Sequence, residues 1–244
     1  MIAQTRAELL KIRTTRTTAG IVLGMVALIL LFSLLSGLLT KAPNLTSTED
    51  QRGLLSVGSL AGVFSALAGI MLVTNEYRHG TIRPTFLFTP RRSQVIEAKL
   101  ASGLLAGIAF GVVGEGLGFA IGYACLASRG IDYALNSGQT TLLLVGTLTG
   151  VALWGALGVG IGTVVRSQVG SIIGLLAWGF IAENLLFAFV PSVGRFAPAH
   201  ASDALIGLTT THLLPAAAGG ATLLAWTIAF ALTAVTLTAH RDVA

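Results

Sequence analysis

The sequence predicts an all-α membrane protein with six transmembrane helices. Mean hydropathy is +0.83. Only 10% of the 244 residues are charged, against about 25% in a soluble domain. Six long stretches carry one charge or none, and a hydrocarbon core about 30 Å thick needs about 20 helical residues. Abundant Leu, Ile, Val and Phe exclude disorder, the single Cys125 excludes a disulfide scaffold, and the absence of ten-residue alternation excludes a β-barrel.

In chain order, residues 1–16 predict an interfacial helix. Ile2, Leu9 and Leu10 share one side, and Arg6, Lys11 and Arg13 stay in the headgroup zone; the alternative is a basic tail that only sets topology. Spans follow at about 18–40, 54–74, 99–127, 140–165, 168–190 and 220–239. The first is too long for a signal peptide and lacks a small-x-small cleavage pattern after it, so it reads as an uncleaved anchor. Eleven Lys and Arg (6, 11, 13, 16, 78, 83, 91, 92, 99, 166, 241) flank one set of span ends and four (41, 52, 129, 195) flank the other. That asymmetry predicts both termini in the cytoplasm.

The link at 76–93 is the longest piece on the cytoplasmic side. It mixes charges with aromatics beyond what a connector needs. Gly80 and Pro90 punctuate it, and Thr81–Thr89 predicts a short helix with Ile82, Phe86 and Leu87 on one side. Such a face is covered by lipid headgroups or by another protein, and its arginines suit both. Residues 191–219, broken by Pro191, Pro198 and Pro215, predict outer re-entrant half-helices around Leu205–Leu208 and Leu213–Leu214; the alternative is an ordered outer loop. Glycines four apart, such as Gly103/Gly107/Gly111 and Gly114/Gly118/Gly122, predict close helix contact, tightest at the third span.

No G-x-x-x-x-G-K-[ST] phosphate loop, H-E-x-x-H zinc site or G-x-S-x-G elbow occurs. The four histidines fall in separate loops or ends, so neither an enzyme nor a metal site is expected. Two intramembrane carboxylates stand out. A charge at the bilayer centre costs about 2.5–3.5 kcal/mol, so each should face protein or water. Glu115 either bonds a hydroxyl of the fourth span (Thr147, Thr149) or serves a substrate path or proton site. Glu183 either anchors the outer half-helices or touches substrate.

These pieces together resemble permease subunits of ABC-2 type exporters. The closest match is the link, where Glu76-x-x-x-Gly80-Thr81, then Thr89-Pro90-Arg91-Arg92-Ser93 and Lys99, is similar to that family's E-x-x-x-G-T…P-x-x-R/S…K signature. Glu8–Arg13 and the stretch Glu183 to Pro191 then Pro198 are also similar. The resemblance implies a type V ABC exporter-like fold in which two permeases, identical or related, each dock a separate ABC ATPase subunit. ATP and Mg bind that partner, and this chain binds no cofactor and no nucleic acid. Glu76, Arg78, Gly80, Thr81, Ile82, Arg83, Phe86, Pro90, Arg91 and Arg92 would form the ATPase-coupling segment. The resemblance further implies outward transport of an amphipathic or hydrophobic compound (drug, antibiotic, peptide or lipid-like) across a bacterial cytoplasmic membrane. The alternatives are a proton-coupled secondary transporter acting through Glu115 or Glu183, or a membrane anchor or sensor that recruits a cytoplasmic protein through 76–93.

Overall fold

The computed structural model describes residues 2–81 and 92–240, and no strand occurs among them. Helix α1 (Ile2–Thr14) leads into α2 (Arg16–Leu39), the first span. The second span runs Thr48–Arg78 and is built of α3 (Thr48–Leu55), a 3₁₀ stretch (Ser56–Leu60) and α4 (Ala61–Arg78). The third and fourth are α5 (Arg92–Ser128) and α6 (Ser137–Val165). The fifth joins α7 (Gln168–Ala177) and α8 (Glu183–Phe189) through a π-helical turn, Trp178–Ala182. Two short helices, α9 (Pro191–Gly194) and α10 (Pro198–Leu205), precede the sixth span, α11 (Ala216–His240). Six helices are long and apolar enough to cross a membrane, so the chain is a multi-pass membrane protein. An even number of crossings puts α1, the 79–81 turn and the end of α11 together at one end of the bundle, here termed the basic end.

The second and third helices begin earlier than expected, at Thr48 and Arg92 in place of 54 and 99. A charge ends an apolar run without ending a helix. Capping sets several starts: Ser47 accepts the Asp50 N–H before Thr48, Asn136 and Gln139 form a reciprocal capping box at α6, and Ser167 accepts the Gly170 N–H at α7. The 3₁₀ stretch in the second span lies against the third, because an added Cβ on Gly58 would meet the Glu115 Cα at 2.4 Å.

The fourth span is the hub, packed on the second, third and sixth. Its apolar stretch is 67% buried, against 39% for the third, which corrects the expectation that the third is the tightest. Glycine spacing marks close approach without saying which partner is surrounded. A Cβ on Gly155 would lie 2.3 Å from the Gly103 carbonyl oxygen, and one on Gly158 would lie 2.1 Å from that of Ala66. The first and fifth spans sit at the periphery, 22% and 11% buried.

At the opposite end, side chains satisfy backbone groups that no ladder uses. Arg129 donates to the Gly37 and Thr40 carbonyls at 2.7 Å each, closing the C-terminus of α2. Buried Gln51 donates to Leu45 and Asp132 and accepts from the Ala134 N–H. Arg52 donates to the Gly207 carbonyl at 2.6 Å. Gly207 has φ +75°, and a Cβ there would fall 2.0 Å from the guanidinium, so only glycine fits.

Residues 191–205 fold back into the bundle. Phe196 accepts the indole N–H of Trp226, ten residues into α11, and Ser202 and Leu205 lie against Gly150 and Gly146 of α6. The helical pieces of this segment lie elsewhere than expected. The half-helices are α9 and α10, which proline starts at its favoured first position. Leu205 only ends α10, Ile206–Leu208 form the exit turn, and Leu213–Leu214 are not helical.

Gly158→Leu should lower the melting temperature of the detergent-solubilised chain by several degrees, since it forces carbon onto a backbone carbonyl and overpacking costs about 1–3 kcal/mol or more. Gly174→Leu, where nothing lies within 4 Å, should leave the melt unchanged.

Candidate functional site: a ring of charges at the basic end

Four ionisable side chains from three helices meet at the base of the 76–93 link. Lys99 of α5 is fully buried, with 0% exposure. Its ammonium donates to Glu8 Oε2 at 3.0 Å, to Glu76 Oε1 at 2.9 Å and to the Leu72 carbonyl at 3.1 Å. All three N–H groups are thereby used. Lys11 of α1 donates to Glu8 Oε1 at 2.9 Å and Glu76 Oε1 at 2.8 Å. The contacts close a cycle, Glu8–Lys11–Glu76–Lys99, whose formal charges cancel.

Each member is placed by local structure. Glu8 and Lys11 are three apart on α1 and share a face. Ile12 beside them packs with Leu72, Val73 and Val159, and Ser102 reaches the Thr5 carbonyl at 3.4 Å. α1 thus docks on protein through a charged side. Lys11 and Glu8 point into the bundle, while Leu10, expected on the apolar side, is 61% exposed. Burial pushes the Lys11 pKa down, but hydrogen bonds and charge from Glu76 and Glu8 outweigh it and hold the ammonium above the ordinary lysine value.

Glu76 also belongs to the turn that starts the link. Its carbonyl accepts the Thr81 N–H at 3.0 Å, and Tyr77 accepts the Gly80 N–H at 3.3 Å. This is a Schellman closure of α4, with Gly80 at φ +68°. The Glu76–Gly80–Thr81 spacing therefore has two physical meanings: a side chain in the ring and a backbone stop four residues on. Arg78 donates to Gln168 at 3.2 Å, tying α4 to α7, and Arg166 lies over the Tyr77 ring at 5.4 Å. Arg92 opens α5. Ile82, Arg83, Phe86, Pro90 and Arg91, with the helix expected over 81–89, lie outside the described residues.

The ring as one site was not foreseen. A signal existed: Arg outnumbers Lys twelve to three, yet two of the three lysines are ring members. A compact ammonium with three rotatable donors suits a buried point ringed by three acceptors, where a planar guanidinium fork would not. Among the described residues no group of His, Cys, Asp and Glu could hold a metal ion. The ring fastens three helices and presents no nucleophile.

The two intramembrane glutamates are separate from it. Glu115 is 2% exposed, held between Gly58 of the second span and α6. In the helix Arg92–Ser128 it lies near the middle, slightly toward the Ser128 end. Thr147 is the hydroxyl that bears on it, while Thr149 is exposed; among the described residues no hydrogen bond of ordinary geometry closes on either carboxylate oxygen. Glu183, at 0% exposure, accepts the Ala199 N–H at 2.7 Å. That is the start of α10, whose N-cap, Ala197, supplies no side-chain cap. The preceding π turn adds a residue to the helix and swings Glu183 inward while Trp178, Phe180 and Ile181 stay outside. This hydrogen bond ties the fifth span to the start of α10. His200 stacks on Phe187 with centroids 4.2 Å apart, and Asp203 raises its pKa above the usual histidine value.

Compared with known proteins, the sequence matches no family model and no curated protein.

Lys99→Met should cost about 3–5 kcal/mol, because it strips two buried carboxylates of the buried one of their two shared cations and leaves Lys11 alone against two negative charges. Adding Glu8→Gln and Glu76→Gln should recover part of that loss in thermal melts, whereas an unchanged or larger loss would show that the ring carries no coupled charge. In a Cys125→Ala background, Glu183→Ala should raise maleimide labelling of a cysteine placed at Ala201 at least tenfold. Equal labelling with and without Glu183 would remove its role as the anchor of α10.

Proposed function

We propose that the chain is the permease subunit of an ATP-driven exporter, moving amphipathic or hydrophobic compounds outward across a bacterial cytoplasmic membrane. A separate ABC ATPase subunit in two copies binds ATP and Mg, and two permeases, identical or related, form the path. Both termini and the 76–93 link face the cytoplasm. The observation that carries this reading is the ring. A push on the 79–91 segment reaches Glu76 within one helical turn, and Glu76 is bonded through two lysines to α1 and to the start of the third span. A link that served only as a connector would gain nothing from a four-charge joint at its base. The described residues offer no competing catalytic constellation, and the peripheral first and fifth spans leave apolar surface for lipid and a second permease.

In this mechanism the ATPase dimer closes on ATP and displaces the coupling segment. The joint converts that displacement into tilting of spans two and three against the glycine-lined fourth. Substrate then leaves past the re-entrant α9–α10 hairpin, whose hold on the bundle is Glu183 and Arg52. Glu115 acts here as a buried contact between spans two, three and four, without a proton cycle.

Phe86→Ala with Arg91→Ala should abolish co-purification of an ATP-hydrolysing subunit from the native membrane while leaving insertion and melting intact. Glu115→Gln should retain most ATP-dependent transport. Retained ATPase binding in the double variant would remove the coupling assignment. Complete loss of transport in a normally assembled Glu115→Gln protein would favour the proton-coupled alternative.

A further inference from the structure

Beside the ring lies a groove of about 380 Å³, walled by the α1–α2 elbow and the last turns of α4. Its volume falls within the range of about 300–1,000 Å³ typical of small-molecule sites. Its lining combines apolar Ile21 and Met71 with polar Lys11, Thr15, Thr17 and Thr18. Glu76 also borders it but is only 7% exposed. Its Oε1 already holds two ammonium groups, and its Oε2 is sealed from solvent.

The polar surface open to a ligand is therefore rich in donors. Lys11 uses two N–H groups on Glu8 and Glu76, yet its side chain is 49% exposed, which leaves the third for another acceptor. Its raised pKa keeps it charged. Thr15 and Thr18 share one hydrogen bond at 2.8 Å, so one of the two hydroxyl protons remains available. Thr15 gives α2 no side-chain cap, so the first-turn N–H groups of that long helix, beside the groove, have no side-chain acceptor from it. The threonines precede the first apolar turn of a membrane span, and Ile21 lies one turn further in. Head and tail of a bound molecule would thus align with the surrounding leaflet.

We propose that this groove binds an anionic amphiphile, with a phosphate or carboxylate head on Lys11 and the Thr15–Thr18 hydroxyls and an apolar chain along Ile21 and Met71. The site stands independently of the exporter reading, since binding requires no ATPase. Because Lys11 belongs to the ring, the head would give its ammonium a third acceptor and place ligand occupancy in contact with the joint between α1 and α4.

The test is intact-complex mass spectrometry of the full chain in detergent, stripped of lipid and titrated with dihexanoyl phosphatidylglycerol. One molecule should bind per chain, at least tenfold tighter than dihexanoyl phosphatidylcholine or inorganic phosphate. Met71→Trp, which fills the apolar wall, should weaken binding at least tenfold. Thr18→Val, outside the ring and expected to melt as wild type, should weaken it at least threefold. Decyl phosphate matching phosphatidylglycerol would support the stated chemistry and identify any anionic amphiphile, whereas preference for the glycerolipid would identify the leaflet as the source. Equal affinity for phosphatidylcholine would overturn the anionic head, and equal affinity for inorganic phosphate would overturn the apolar chain. Unchanged binding in both variants would overturn the location.

Discussion

A lysine ammonium with no exposure to solvent can remain in a membrane protein only if every one of its protons is answered. Lys99 meets that demand with two carboxylates and a backbone carbonyl, and the consequences spread outward. Glu8 must come to it, so α1 is drawn onto the bundle by its charged side. Glu76 must stay beside it, so the end of α4 and the Schellman turn after it are fixed relative to α5. Lys11 then balances the second negative charge. In a low dielectric an incomplete version of this set would be costly, so the ring favours a single arrangement of three helices. Its neutral sum keeps the surrounding arginines free to face headgroups or a protein partner.

The rest of the bundle divides into a tightly fitted interior and a looser outside. Glycines of spans two, three and four bring backbones into direct contact around α6, where no side chain can be inserted. Span one packs on this interior through a buried stripe of Met25, Ile29, Ser33 and Gly37, and it and span five show apolar surface to the surroundings. The fifth span adds a π turn and the carboxylate bonded to the start of α10, which is held by polar contacts (Glu183 to Ala199, Trp226 to Phe196, Arg52 to Gly207) and by the buried side chains of Ala201 and Ala204. The two ends thus differ in kind. A closed set of charges joins the helices at the basic end, whereas single hydrogen bonds and apolar packing join them at the opposite one.

Much of this was legible in the sequence. The six spans follow from apolar length alone, because lipid requires a self-satisfied helix of a known minimum. Prolines at 191 and 198 marked the starts of the two short helices before the last span. The boundaries at Thr48 and Arg92 were less legible, since Ser47 and the helical path through Glu97 and Lys99 depend on capping and on protein cover instead of hydropathy. The half-helices were misplaced because short apolar runs such as Leu213–Leu214 look the same whether coiled or extended. The ring was hidden because its members lie far apart in sequence, at 8, 11, 76 and 99, and each alone resembles an ordinary charge flanking a span. Pairing them requires knowing that the base of the link and the N-terminal helix occupy the same place. Spacing within the chain does not encode that.

The most direct measurement is the distance between α1 and the 79–81 turn in lipid nanodiscs. Nitroxide labels at Leu10 and His79, both exposed, in a Cys125→Ala background would report it by pulsed electron resonance. A ring-locked joint predicts one narrow distance distribution in the wild-type ring, which broadens when Lys99 is replaced by Met. A broad or multi-peaked distribution with the ring intact would mean that α1 is not fastened to the link, and the mechanical role assigned to these four charges would fail.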